Sequence, residues 1–177
     1  MDAHQLQAKK PATALAGPYG HPVHPMLVTV PIGAWVASLV FDFGSRVAHD
    51  PGSLTRGSEW LILIGVIGAV VAACAGFLDR RGIASGTPAA KTVVIHLSLN
   101  IGITVLYFVN FLWRHASYPE HVKVSVAQIV LSLVSLAALG ASGYLGGKLA
   151  YHYGVRVADE TTQAEGFVQT GASGTKP

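Results

Sequence analysis

The chain has 177 residues, of which 51% are hydrophobic and only 12% charged, with a formal net charge of +3. Soluble domains carry about 25% charged residues, so this chain, with a mean hydropathy of +0.46, cannot clothe a water-exposed surface. Composition therefore excludes an ordinary soluble enzyme domain and points to an integral membrane protein whose first partner is the lipid bilayer.

The polar residues 1–18 are expected to form a disordered N-terminal tail. Residues 20–33 then read GHPVHPMLVTVPIG, two His-Pro pairs directly before an apolar run. Proline fixes its own φ and biases the preceding residue towards extended backbone, so His21 and His24 read as imidazoles aimed from the mouth of a helix. A bilayer core needs about 20 apolar residues per helix, and four stretches supply them. The first runs over 26–43, with Pro25 in its first turn and Pro31 predicting a bend or loosened turn. The second runs over 60–78, with Ser58 as its cap and Asp79-Arg80-Arg81-Gly82 as its stop. The third covers 92–113. The fourth covers 124–145, with a helical extension to 153 and Gly154 as the residue after the cap. A polar tail over 158–177 is expected to be disordered. The fold class is thus an all-α integral membrane protein, an antiparallel up-down bundle of four transmembrane helices within residues 19–157.

Counting Lys and Arg gives the orientation. Lys9, Lys10, Arg80, Arg81, Lys91, Lys148, Arg156 and Lys176 fall on the side of the termini, against Arg46, Arg56, Arg114 and Lys123 on the other. The bias predicts both termini in the cytoplasm and the inner membrane as the location. No run of basic residues interleaved with aromatics occurs, so no nucleic-acid partner is expected. The single cysteine, Cys74, allows neither an intrachain disulfide nor a cysteine-pair metal site. Small residues at every fourth position, Gly68, Ala72 and Gly76 in the second span and Gly143 and Gly147 in the fourth, predict close helix packing. Trp35, Trp60 and Trp113 read as candidate interfacial anchors, Trp35 lying deep for that role.

Polar groups collect at the terminal side. His21 and His24 open the first span, Asp79 closes the second, His96 opens the third with Asn100 one turn deeper, and His152 ends the fourth. Ionisable groups at membrane depth are costly and mark functional sites. His24, His96, His21 and Asn100 are therefore the candidate cofactor-binding residues for one b-type haem, since bis-histidine ligation takes histidines from two facing helices. The alternative ligand, a divalent transition metal, would draw on His21, His24, Asp79 and His96. At the other side, Asp42 is expected to pair with Arg46 one turn on, while His49, His115 and His121 read as solvated. No G-x-S-x-G, H-E-x-x-H, Walker or dinucleotide fingerprint is present, so no catalytic residue is assigned.

The segments HPVHPMLVTVPIG, GFLDRRGI, HLSLN and SGYLGGKLAYHYGV, in that order across residues 20–157, resemble the membrane family catalogued as domain of unknown function 2231. The resemblance implies a small four-helix membrane domain, sometimes joined to redox modules, with His24, Asp79, His96 and Asn100 as motif residues. No such module occurs in this chain, so a redox or membrane-complex partner would be another chain. The expected function is a redox-linked subunit binding one b-type haem or a metal. An accessory subunit without cofactor, or a component of small-solute or metal transport, stands as the alternative.

Overall fold

The computed structural model describes residues 3–14, 17, 20–118 and 122–167; His121 and the ends of both tails lie outside the described residues. The chain is all-helical. Helix α1 covers Ala3–Lys9, α2 Val23–Leu27, α3 Thr29–Val47, α4 Gly52–Arg80, α5 Pro88–Ser117 and α6 Val126–Gly147; a π-turn over Lys148–His152 extends α6, and α7 covers Glu160–Glu165. Four of these stretches are long and apolar enough to cross a bilayer: Val23–Val47, Gly52–Arg80, Pro88–Ser117 and Val126–His152. The shortest has 25 residues and at 1.5 Å per residue reaches about 37 Å, beyond the hydrocarbon thickness of about 30 Å.

The helix ends follow local chemistry. Pro31 has no N–H for the Leu27 carbonyl, and the first span breaks there into α2 and α3 at Val28. Thr29 Oγ1 donates to the Met26 carbonyl at 2.7 Å within the same loosened turn. His24 and Pro25 both lie inside the first turn of α2, where helical N–H groups lack intrahelical acceptors anyway. The extended conformation expected for His24 is thus corrected to a helical one. Helix α4 begins at Gly52, well over a turn before Ser58, so Ser58 is an interior residue and not a cap. Helix α5 is capped by Thr87, whose side chain accepts from Ala90 N at 3.1 Å, with a proline at its start. Ser125 and Gln128 form a reciprocal capping box on α6. Gly154, at φ 68°, follows the π-turn as its left-handed terminator.

In the bundle α3 packs on α4, α4 on α5, α5 on α6 and α6 back on α3. Contacts tie opposite ends of consecutive spans: His24 meets Ala72, Asp42 meets Ser58, and His96 meets Ser142. The middle is apolar. Trp35, Ile62, Val66, Ile103 and Tyr107 form the buried core, with Leu99, Leu136 and Leu139 packed on it. Trp35 is 1% exposed and stacks on Tyr107 at 4.1 Å between ring centroids, so it is a core residue and not an anchor. Trp60 and Trp113 remain outward-facing. Gly65 makes the Trp35 stack fit, because a Cβ there would collide with the indole.

Short helices, α1 and α7, lie in the described parts of the two tails. Helix α1 leans on the last span's exit: Arg156 N donates to the Ala8 carbonyl at 3.0 Å, and Lys9 Nζ donates to the Ala158 carbonyl at 3.2 Å. Helix α7 is capped by Asp159, whose Oδ1 accepts from Thr162 N at 2.9 Å.

Candidate functional site

Polar side chains gather at both ends of the bundle, and the two ends differ in chemistry. At the end where α1 packs, α4 presents Ala72, Gly76 and Asp79 along one stripe. His24 Nδ1 lies 2.8 Å from the Ala72 carbonyl, and its ring lies flush on Gly76, where an added Cβ would sit 3.0 Å from the imidazole. Across the interface, His96 Nδ1 lies 2.9 Å from the Ser142 carbonyl of α6, and its ring lies on Gly146, 3.2 Å from the Cβ position. A ring nitrogen facing a carbonyl must carry the proton, so each imidazole is held as a donor through Nδ1. The two rings face each other with centroids 6.5 Å apart and planes at 88°.

Asn100 locks His96 from one turn deeper. Its Nδ2 lies 2.8 Å from the His96 carbonyl, 2.6 Å from Ser142 Oγ and 3.2 Å from His96 Nε2. The other proposed members make contacts of their own. Asp79 makes its ion pair with Arg156, Nε to Oδ1 at 2.9 Å, rather than with a histidine. His21 is exposed before α2. His152 is exposed and sets its ring edge-on to Tyr153, centroids 4.8 Å apart. Among the described residues no group of three or more His, Cys, Asp or Glu is placed to hold a metal ion.

The opposite end holds a network that sequence reasoning did not find. Arg114 is 4% exposed and Asp42 is fully buried. Arg114 Nη1 donates to Asp42 Oδ1 at 2.6 Å and to Ser58 Oγ at 3.0 Å. Its Nη2 donates to Asp42 Oδ2 at 2.8 Å and to Ser132 Oγ at 3.3 Å, and its Nε to Asn110 Oδ1 at 2.9 Å. A guanidinium has five N–H donors, and all five are used on groups from all four spans. The expected Asp42–Arg46 pair is therefore corrected: Asp42 turns into the bundle, while Arg46 is exposed and reaches the Val124 carbonyl at 3.4 Å. His115 is exposed as expected, yet its Nδ1 sits 2.8 Å from Glu59, which Arg56 also pairs at 3.1 Å. The missed signal was periodic. Tyr107, Asn110 and Arg114 on α5, and Gln128, Ser132 and Ser135 on α6, share a helical spacing that places polar groups on inward faces.

Close approach on α4 occurs at Gly68, Ala72 and Gly76, which meet the first span. On α6 it occurs at Gly146, while a Cβ at Gly143 would meet nothing within 4 Å. A family model described as a predicted membrane protein, DUF2231, matches residues 20–159. No curated protein and no solved structure matches the chain.

Proposed function

The chain belongs to the predicted membrane protein family DUF2231, and we propose that it is a redox-linked membrane subunit holding one b-type haem between His24 and His96. The observation that carries this reading is the ring pair, two imidazoles from different spans with centroids 6.5 Å apart. Imidazoles at this separation, one from each of two spans, would be within reach of a shared haem iron. Both Nδ1 atoms are tied to backbone carbonyls, the outer-shell bond that orients a ligating histidine and raises its basicity. Gly76 and Gly146 leave room for the rings to seat.

The donor set favours haem over a bare ion. Divalent zinc and its neighbours want about four ligands, whereas a haem would need only His24 and His96 from the protein. When bound, the haem supplies one-electron transfer. The chain's own part is to hold the two rings at fixed depth, to keep their Nε2 atoms unprotonated through the Nδ1–carbonyl bonds, and to exclude water with the apolar core beyond. With a haem bound, Asn100 would release His96 Nε2 and could keep its bonds to the His96 carbonyl and Ser142 Oγ. The Lys and Arg bias supports a cytoplasmic position for this end in the inner membrane, facing a partner chain that exchanges the electron.

One observation favours the accessory-subunit alternative: Asn100 already satisfies His96 Nε2, so the pair is also a complete interhelical hydrogen-bond set. Absorbance spectra of detergent-purified protein, oxidised and dithionite-reduced, with metal analysis on the same sample, separate the two. A Soret band with sharp reduced α and β bands is expected. A colourless, metal-free sample that stays so after haem reconstitution would establish the accessory reading.

A further inference from the structure

Arg156 lies beyond the last span, yet its side chain is only 6% exposed. It is the one described non-glycine residue in the left-handed region, at φ 60°, a conformation that the surroundings must hold in place. Contacts with described residues help hold it. Its backbone N donates to the Ala8 carbonyl at 3.0 Å, and its Nε meets Asp79 Oδ1 at 2.9 Å. Its guanidinium lies so close on Gly17 that a Cβ there would collide with Nη2 and with the His21 carbonyl.

These contacts bracket His24 from two sides. Ala72, Gly76 and Asp79 form one stripe of α4: the first accepts from His24, the second underlies its ring, and the third holds Arg156. Arg156 in turn packs where Gly17 meets the His21 carbonyl, on the chain that leads through Pro22 into His24. We infer that Arg156 is a positioning residue for His24, an inference that deepens and rests on the haem-subunit reading. It fixes the His-Pro segment against α4 and pairs the Asp79 carboxylate that closes the same α4 stripe.

The test uses full-length protein with 15N-labelled histidine in lipid nanodiscs, with the Nδ1–H signals of His24 and His96 assigned by His24→Gln and His96→Gln. Arg156→Ala is expected to speed exchange of the His24 Nδ1–H while leaving that of His96, which is held by α6, unchanged. Arg156→Lys, which keeps the charge, restores part of the protection. With hemin as the probe, Arg156→Ala weakens binding about 10- to 100-fold, the range for losing a ligand's supporting partner. It also lowers the midpoint potential, because the uncompensated Asp79 carboxylate favours ferric iron. Asp79→Asn added to Arg156→Ala returns the potential towards wild type. An unchanged His24 signal, or equal loss of both signals, would overturn the inference. Failure of the wild-type protein to bind hemin would instead overturn the haem reading, with the paired histidine signals still deciding whether Arg156 positions His24.

Discussion

The Asp42 carboxylate and the Arg114 guanidinium form a closed set: every guanidinium N–H has an acceptor, and the acceptors come from all four spans. Burying either charge alone is costly, and removing one partner of such a pair costs about 3–5 kcal/mol. Arg114→Ala and Asp42→Ala are each expected to lower thermal stability in detergent by that order, while Arg114→Met combined with Asp42→Leu recovers most of it. A double variant as unstable as the singles would contradict this account. The pair was hidden in the sequence because its members stand 72 residues apart, whereas the local Asp42–Arg46 spacing is visible at once. The partner of Asp79 was hidden for a related reason. A carboxylate at a helix C-terminus calls for a cation, but the order of residues does not say that Arg156, past the end of the last span, supplies it. Gly65 offers a second test of packing. Gly65→Ala drives a methyl into the Trp35 ring and is expected to cost about 1–3 kcal/mol, the usual range for overpacking, read from the same melting curves.

At the scale of elements, the broken first span follows from Pro31, and the break sets the height at which α2 presents His24 to Ala72. Pro31→Ala supplies the missing N–H to Leu27, joins α2 to α3, and is expected to weaken the His24 Nδ1–H bond, seen as faster exchange of that proton. Helix α7 carries an acid-sensitive cap outside the membrane spans. Hydrogen bonds from Thr162 hold the Asp159 carboxylate below the ordinary carboxylate range. A depressed folded-state pKa means that the cap's contribution is present above the unfolded carboxylate pKa, about 3.9, and is lost as pH falls through the folded value. Carbon chemical shifts across Glu160–Glu165 should therefore keep their helical values at neutral pH and lose them in acid, and Asp159→Ala should lose them at all pH. The four spans themselves were legible from hydropathy, as were the Pro31 irregularity and the Gly154 terminator. Their starts were not, because residues such as Thr55, Ser58 and Glu59 look like loop until partners on neighbouring helices bury them.

At the scale of the whole molecule, two polar ends are separated by an apolar layer of Trp35, Ile62, Val66 and Ile103, with Leu99, Leu136 and Leu139 around it. Such a layer is a poor path for ions and protons, and it argues against the transport alternative. Proteoliposomes containing the protein are expected to leak protons no faster than empty vesicles; a clear increase would contradict this reading. The membrane class and the helical fold were legible because composition and length suffice for them. The pairing of His24 with His96 was legible as a shared side and depth. The fixed ring geometry was not, since it depends on Gly76, Gly146 and two carbonyls whose positions only packing defines. The measurement that bears most directly on the central claim is a hemin titration of wild-type protein, His24→Ala and His96→Ala, followed by absorbance. Wild type should bind one equivalent with a six-coordinate, low-spin spectrum, and each variant should lose that spectrum while keeping its helical content. Equal low-spin binding by either variant and wild type would contradict ligation by this pair.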